Sequence, residues 1–196
     1  MSRKRIGIFG GSFNPVHLGH LSVAEEIRIG FDLQRIIFIP AAVPPHKTTE
    51  DLAPFSDRFR MIQLAIEDNP NFTVDDIEGG LSGKSFTVRT LRIFNEKNPD
   101  WDIFFLLGLD NLHEIGTWKD PESLFELCQI IVFGRPGYHR DGIDEGITSR
   151  VIFSDVTEIG ISASEIRNKL HQRLSIESLV PAKVGNYVRD HHLYTD

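Results

Sequence analysis

Sulfur-containing residues are scarce in this sequence of 196 residues, which has one cysteine and two methionines. A single cysteine, Cys128, cannot form an internal disulfide, so the chain suits a reducing compartment and we expect a cytoplasmic protein. Because Cys128 lies between the apolar residues Leu127 and Ile130, we interpret it as a small core residue.

Long apolar runs and an excess of positive charge are also missing. No apolar run approaches the roughly 20 residues of a membrane-spanning helix. The basic first residues are followed only by the short run Ile6–Phe9, which is too short for the core of a signal peptide. Lys and Arg number 21 against 28 Asp and Glu, a formal net charge of −7, which argues against a general nucleic-acid-binding protein. We therefore expect neither a membrane nor a nucleic acid as partner.

The sequence does contain strand-like and helix-like segments in alternation. Apolar content of 40% and charged content of 25% are ordinary for a globular protein, and the length predicts a single domain spanning residues 1–196. Apolar runs at Ile6–Phe9 and Arg35–Ile39 flank a helical pattern, and such βαβ units form parallel sheets. Further strands are predicted at residues 72–74, 102–108, 129–133 and 150–153. The expected fold is therefore α/β, a Rossmann-like parallel sheet with helices on both faces.

Two glycines, Gly10 and Gly11, end the first predicted strand and are followed by a turn at Asn14-Pro15 and by two histidines. A phosphate can lie directly against backbone that carries no Cβ. His17 and His20 are three residues apart in the first turn of the predicted helix, so they share a face near the positive end of the helix dipole, where anions bind. Ligands of parallel sheets bind beyond the carboxyl ends of the strands. We interpret this stretch as a nucleotide-phosphate site.

Two other interpretations of this stretch are weaker. A zinc site would need further ligands, but Cys128 is distant and no third ligand is spaced nearby. A redox Rossmann enzyme would carry the pattern G-x-G-x-x-G, whereas Gly7, Gly10 and Gly11 have a different spacing.

The segment His17-Leu18-Gly19-His20 resembles the H-x-G-H signature of the nucleotidyltransferase superfamily. The longer stretch from Gly10 to His17 is most similar to bacterial nicotinate mononucleotide adenylyltransferases. This resemblance implies transfer of the adenylyl group of ATP to nicotinate mononucleotide in NAD biosynthesis, giving nicotinate adenine dinucleotide (deamido-NAD) and pyrophosphate. It also implies that His17 contacts the α-phosphate in the transition state and that His20 contacts neighbouring phosphate oxygens. The same loop would bind ATP through Gly10, Gly11, Ser12 and Phe13.

The loop after the second predicted strand contains Pro44-Pro45-His46-Lys47. Taken alone, it is either a solvated proline-rich loop or a cationic site at another carboxyl strand end. Pro-Pro-His-Lys also recurs in the resembled family on the triphosphate side of the site, which implies that Lys47 helps to hold the departing pyrophosphate. We therefore predict that Lys47 is catalytic. We also predict that nicotinate mononucleotide is bordered by Pro45, His46 and Lys47.

The acceptor side of the site is predicted from two segments. Lys84–Leu91, taken alone, indicates a helix start with Ser85 or Thr87 near the cap. It also resembles the family's S-Y-T-x-D-T-L segment, with Phe86 in place of Tyr and with Arg89 reversing the charge of Asp. Trp118 resembles the family's pyridine-stacking tryptophan, and a tryptophan face suits a cationic pyridinium. The resemblance implies that nicotinate mononucleotide is bound by Phe86, Thr87, Trp118 and Lys119.

Two further residues follow predicted strands on the ATP side. Asp110 comes after the most apolar strand, where a carboxylate can accept hydrogen bonds from ribose hydroxyls, although such an aspartate can also simply cap the next helix. Its segment resembles the family's G-x-D-N pattern, which favours ATP binding by Asp110. Arg135 lies in a segment that resembles the family's R-P-G, and a simple turn explains the Pro and Gly there equally well.

Two helix starts are predicted from capping signals. Ser56 is predicted to cap a helix that extends to about Asp68, in which Arg58 is expected to be solvated. Ser162 with Glu165 fits a capping box. The second segment also resembles the family's I-S-S-T-x-I-R motif, with Ala163 for Ser and Ser164 for Thr. It therefore implies a second anion site for ATP, with Arg167 as a catalytic group, at Ser162, Ser164 and Arg167.

The implied reaction needs ATP and nicotinate mononucleotide as substrates and Mg²⁺ as cofactor. Mg²⁺ would bind through the ATP phosphates and keep most of its waters, so no metal ligand is predicted in the protein. Two alternatives remain: another H-x-G-H transferase, with a phosphopantetheine, cytidylyl or nicotinamide mononucleotide chemistry, and a nucleotide-binding protein without turnover. A homo-oligomer is left open.

Overall fold

The computed structural model describes residues 3–44, 52–156 and 160–195. Within these ranges the strands are Lys4–Gly11 (β1), Arg35–Pro40 (β2), Phe72–Val74 (β3), Trp101–Gly108 (β4), Gln129–Phe133 (β5) and Val151–Phe153 (β6). They form one six-stranded sheet in the order β3-β2-β1-β4-β5-β6. All neighbouring strands are parallel. The predicted parallel sheet is confirmed.

The helices connect successive strands or follow the last one. They are Leu18–Gly30 (α1), Phe55–Ile66 (α2), Thr87–Lys97 (α3), Leu109–Glu114 (α4), Pro121–Leu127 (α5), Glu145–Thr148 (α6), Ala163–His171 (α7) and Ala182–Asp190 (α8). Short 3₁₀ turns occur at Ile77–Gly80 and Ile115–Thr117. In the part of the chain that the structure describes, none of the helices has the length and apolar character needed to cross a membrane.

Buried apolar residues form one cluster on each face of the sheet, because successive side chains of a strand point to opposite faces. On β1, Ile6 and Ile8 pack in a cluster that includes residues of α3, α4 and α5. Phe9 belongs to the other cluster, which includes residues of α1, α2, α7 and α8. The α/β fold with helices on both faces is therefore confirmed, and its two cores leave the carboxyl ends of the strands for a site.

The predicted capping serines have different outcomes. Ser56 lies inside α2, whose N-cap is Pro54, and α3 begins after Phe86 with no side-chain cap. Ser85 instead joins the loop after β2: the Val43 N–H donates to Ser85 Oγ at 3.0 Å and the Ser85 N–H donates to the Val43 carbonyl at 2.9 Å. A serine beside a helix start can satisfy neighbouring backbone instead of the helix. Ser162 is the N-cap of α7, as predicted, and accepts from the Glu165 N–H at 3.1 Å.

The expectation of a solvated Arg58 is wrong, because this side chain is 0% exposed. Its guanidinium donates to four backbone carbonyls at the ends of β1 and β2 and at the start of α2. These are the carbonyls of Ser12 at 2.8 Å, Ala41 at 2.7 Å, Ala42 at 3.2 Å and Ala53 at 2.9 Å. Carbonyls released from the ladder at strand ends still need donors, and one guanidinium offers five N–H groups. Arg58 therefore fixes the loops that border the carboxyl edge of the sheet.

Candidate active site

A cavity of about 1000 Å³ lies at the carboxyl ends of the central strands. Its lining includes Gly10 and Gly11 from the end of β1 and Gly108 from the end of β4. From β1 the chain proceeds outward through β2 and β3, then returns to the other side of β1 as β4. Loops from neighbouring strands diverge at such a switch point and leave a crevice, which is where open α/β sheets bind ligands.

The two predicted histidines lie in the wall of this cavity and cap helix α1. The His20 N–H donates to Nδ1 of His17 at 3.4 Å, and the His17 N–H donates to Nδ1 of His20 at 3.2 Å. The two rings stack with centroids 3.6 Å apart. Because each Nδ1 accepts a hydrogen bond, the proton of each neutral ring is on Nε2. Nε2–H is then the donor that each imidazole can offer to an anion.

Burial keeps His17 in the neutral form. Its side chain is 3% exposed, and burial, with a smaller contribution from the positive charge of Arg135, lowers its pKa from 6.5 to about 3. Both causes disfavour the imidazolium form. Near neutral pH, His17 is therefore an uncharged hydrogen-bond donor.

Asp110 and Arg135 form an ion pair in the cavity wall, with Nε and Oδ1 3.3 Å apart. The Asn111 amide also donates to Oδ1 of Asp110, at 3.1 Å. A Cβ on Gly108 would lie 2.4 Å from that Oδ1 and 3.1 Å from Nε of Arg135. Gly108 thus leaves the room in which the pair forms, and the pair holds a carboxylate in place between β4 and β5.

Helix α7 brings the second predicted anion site to the histidine loop, defined as residues 12–17. Arg167 Nη1 donates to the Asn14 carbonyl at 3.0 Å, and Nη2 lies 3.5 Å from Ser164 Oγ. Ser162 caps the helix. Asn14 and Arg167 are 153 positions apart in the sequence, and both line the same cavity.

The predicted acceptor residues line the same cavity. Trp118 follows a 3₁₀ turn, and its ring meets Phe105 of β4 edge-on with centroids 6.5 Å apart. Phe86 precedes α3. Arg89 is not among the described residues that line the cavity, and its Nη1 donates to the Ser82 carbonyl at 2.9 Å. The charge reversal at this position therefore lies outside the cavity wall.

Most of the predicted site residues line this one cavity. Those that line the cavity are Gly10, Gly11, Ser12, Phe13, His17, His20, Phe86, Thr87, Asp110, Trp118, Lys119, Arg135, Ser162, Ser164 and Arg167. The predictions for Pro45, His46 and Lys47 lie outside the described residues.

Glu78 and Thr90 also line the cavity, although neither was predicted from the sequence as a site residue. Both are buried, and the Thr90 hydroxyl donates to the Glu78 carboxylate. Glu78 lies in a 3₁₀ turn and Thr90 in α3. Neither segment carries a local signal that these two side chains meet, since only the packing of α3 against the turn joins them.

Similarity to known proteins shows the family to which the chain belongs. The model of the cytidylyltransferase-like family matches residues 8–169, and the chain belongs to this family. The fold is similar to that of Plasmodium falciparum nicotinic acid mononucleotide adenylyltransferase complexed with NaAD, with a TM-score of 0.82, 24% identity and 97% of each chain covered. The complex of that protein with APC gives a TM-score of 0.80 at 23% identity, again covering 97% of each chain.

Relatives of higher identity define the branch within that class. A protein from Geotalea daltonii, named a probable nicotinate-nucleotide adenylyltransferase, is 39% identical over 98% of this chain and 99% of its own. One from Clostridium novyi with the same name is 37% identical over 97% of this chain and 99% of its own. The chain is thus a member of the nicotinate-nucleotide adenylyltransferase branch, which confirms the resemblance seen in the histidine motif.

Proposed function

We propose that this enzyme transfers the adenylyl group of ATP to nicotinate mononucleotide, forming nicotinate adenine dinucleotide and pyrophosphate in NAD biosynthesis. One observation carries the proposal: a single cavity at the switch point of the sheet is lined both by the imidazole and guanidinium groups and by Trp118 and Phe86. The first group suits a triphosphate and the second an aromatic acceptor. The names of the relatives support the same reaction. We also propose that it takes place in the cytoplasm.

The reaction requires no nucleophile from the protein. An oxygen of the 5′-phosphate of nicotinate mononucleotide attacks the α-phosphorus of ATP, and the bond from that phosphorus to the oxygen that bridges to the β-phosphate breaks. Pyrophosphate leaves with the electron pair. Catalysis of such a transfer consists mainly of in-line positioning and stabilisation of charge on the phosphate oxygens.

In this mechanism His17 and His20 act as hydrogen-bond donors. His17 would donate from Nε2 to an α-phosphate oxygen as charge develops there, and His20 would donate to neighbouring phosphate oxygens. The pKa of His17, lowered to about 3, supports a donor that does not lose or gain a proton during turnover. The backbone of Gly10, Gly11, Ser12 and Phe13 would lie against the nucleotide.

The remaining ATP contacts would come from α7 and from the ion pair. Arg167, with Lys47 of the Pro-Pro-His-Lys segment, would hold the departing pyrophosphate, while Ser162 and Ser164 lie at the N-terminus of α7. This helix end attracts anions through its free N–H groups. Asp110, held by Arg135, would accept hydrogen bonds from ribose hydroxyls.

On the acceptor side, Trp118 would stack on the pyridinium ring of nicotinate mononucleotide. Phe86 would add a second aromatic face, and the backbone at Thr87 and Lys119 would bind the carboxylate. Pro45 and His46 would border the same ligand. A cationic ring over an indole face is attracted by the ring quadrupole.

The donor set of the cavity fits a Mg²⁺ ion that binds through the phosphates. In residues 3–44, 52–156 and 160–195, no group of three or more His, Cys, Asp or Glu residues is placed to hold a metal. The cavity lining includes three side chains that can donate hydrogen bonds to phosphate: His17, His20 and Arg167. Mg²⁺ bound to the triphosphate would neutralise part of its charge.

Pyrophosphate release with ATP and Mg²⁺ tests the proposal. The acceptors to compare are nicotinate mononucleotide, nicotinamide mononucleotide and phosphopantetheine. We expect release with the first well above release with the second, and none with the third. Equal release with both pyridine nucleotides would contradict the carboxylate contact. ATP binding without release for any acceptor would make the protein a non-catalytic nucleotide binder.

A further inference from the structure

Asn14, three positions before His17, is a meeting point of distant segments. Its side chain is 5% exposed, and its Oδ1 accepts from the Ala53 N–H at 3.0 Å and from the Tyr194 hydroxyl at 2.7 Å. Its backbone carbonyl accepts from Arg167 at 3.0 Å. The start of α2, helix α7 and a residue beyond α8 therefore all bind the histidine loop at one residue.

The loop at this point has a conformation that needs support. Phe13, next to Asn14, has a positive φ of 45°, which is sterically costly for a residue with a bulky side chain. Such residues keep their conformation only where surrounding contacts hold them. On one side of Phe13, Arg58 binds the Ser12 carbonyl at 2.8 Å. On the other side, Asn14 is held by the three donors already described.

The conformation of Phe13 matters for the proposed phosphate donors. Its ring is 1% exposed and meets the ring of His20 edge-on, with centroids 5.0 Å apart. It also packs edge-on against Phe9 of β1 at 5.5 Å. A shift of Asn14 would therefore change the backbone at Phe13, and with it the surface against which His20 rests.

We propose that Tyr194 is a positioning residue of the ATP site, which acts by holding Asn14 and through it the histidine loop. This inference rests on the proposed adenylyl transfer for its kinetic consequence, but its effect on ATP binding is separate. Tyr194 itself has a positive φ of 62°, so contacts also hold its own backbone in a costly conformation. Burial raises the pKa of its phenol above the ordinary value, which keeps the hydroxyl a donor.

The chain offers a matched control for the removal of this hydroxyl. Tyr187, in α8, is also partly buried, and its hydroxyl donates to Asp57 Oδ1 at 2.8 Å. Y194F and Y187F each remove one phenolic donor to a side-chain oxygen, but only the first donor reaches the histidine loop. A general loss of stability in the C-terminal segment would affect both variants, whereas a positioning effect would affect one.

The first measurement is steady-state pyrophosphate release with both variants, with thermal melting followed by circular dichroism. We expect Y194F to lower kcat roughly 10- to 100-fold, the scale of a small misplacement of catalytic groups. The KM for nicotinate mononucleotide should change little, since the Tyr194 hydroxyl donates to Asn14 of the histidine loop, which we propose to bind ATP. Y187F should keep kcat near that of the wild type. Equal kcat in the two variants would overturn the proposal.

The second measurement is the Kd of ATP with Mg²⁺ by calorimetry, without an acceptor. We expect weaker ATP binding by Y194F than by Y187F and the wild type. If the wild type binds ATP but releases no pyrophosphate, the proposed reaction fails, and the ATP comparison still decides for or against Tyr194. Equal affinities in all three proteins would overturn the positioning role, as would a wild type that does not bind ATP.

If Y194F melts below the assay temperature, the comparison uses Arg58→Lys. Lysine keeps the charge but cannot donate to the Ser12, Ala41 and Ala53 carbonyls together. Because the histidine loop is held on both sides of Phe13, we expect R58K to lower kcat as well. Full activity of a folded R58K protein would show that the contacts on either side of Phe13 are not needed to hold the histidine loop.

Discussion

At the scale of single residues, the two nitrogens of His17 have separate roles in the proposed mechanism. Nδ1 is occupied by the N–H of His20, which fixes the tautomer and caps α1. Nε2 then carries the proton that His17 would donate to a phosphate oxygen. Variants that keep an atom able to cap α1 but lack Nε2 can test this division of roles.

Replacing His17 should separate capping from catalysis. We expect H17A to lower kcat roughly 10²- to 10³-fold, the scale for loss of one preorganised donor. H17N should lose turnover to a similar extent while it keeps an oxygen that can cap α1. Pyrophosphate release reports the first effect and urea unfolding the second. Near-normal turnover in H17N would exclude Nε2 as a phosphate donor.

Spacing alone predicts that two residues meet only where they are close in the sequence. His17 and His20 are three positions apart, and helix geometry alone brings them together. The partners of Arg58 and Tyr194 on the histidine loop are 46 and 180 positions away, so no spacing rule relates them. Their contacts depend on how α2 and the segment after α8 pack against β1. Arg58 was expected to be solvated for this reason.

At the scale of elements, α7 links its own capping to the histidine loop. Ser162 begins the helix, and Arg167, on the same short element, donates to the Asn14 carbonyl. The position of the guanidinium therefore depends on where the helix begins. This segment was predictable because a capping serine and an apolar stripe lie within a few residues of each other.

Removing the cap of α7 should lower stability by about 1 kcal/mol, because Ser162 Oγ satisfies an N–H that the helix cannot. S162A measures this in urea unfolding. S164A is the matched control, since Ser164 follows the cap and its Oγ lies 3.5 Å from Arg167, so we expect a smaller loss. Equal losses would show that the hydroxyl of Ser162 does not act as a cap.

The strand predictions succeeded because each strand is a short apolar run between breakers, and buried parallel strands have this composition. The helix starts of α2 and α3 were not predictable from serine alone. Pro54 and Phe86 occupy the two N-cap positions, and the serine nearby satisfies other backbone or lies within the helix. A hydroxyl has several partners within reach, and tertiary packing selects among them.

At the scale of the whole molecule, folding buries the imidazole of His17 within reach of the positive charge of Arg135. His17 is accessible to protons in the unfolded chain but remains neutral in the fold until far lower pH, since its pKa is lowered from 6.5 to about 3. The unfolded state thus binds one more proton than the native state in this interval. The free energy of unfolding therefore falls as the pH drops below 6.5, the pKa of His17 in the unfolded chain. The stability that depends on a neutral His17 is fully present only above that pH.

This linkage can be measured by comparing wild type and H17N. Between about pH 7 and about pH 4, the wild type should lose about 3 kcal/mol more free energy of unfolding than H17N, which lacks the titrating group. Urea unfolding at several pH values gives both curves, and carboxylates shared by the two proteins cancel in the difference. Parallel curves would show that His17 does not resist protonation in the native state.

The hydrogen bond between Tyr194 and Asn14 spans 180 positions, which has a consequence for the order in which the protein is made. Translation produces the histidine motif well before the segments that contain Arg167 and Tyr194. A domain generally folds as a unit, so we expect the histidine loop to reach its supported conformation only when these later segments are present. Firm nucleotide binding would then require that the chain has been made as far as Tyr194. A nascent chain that lacks Arg167 and Tyr194 would contain the histidine motif without these two contacts to Asn14.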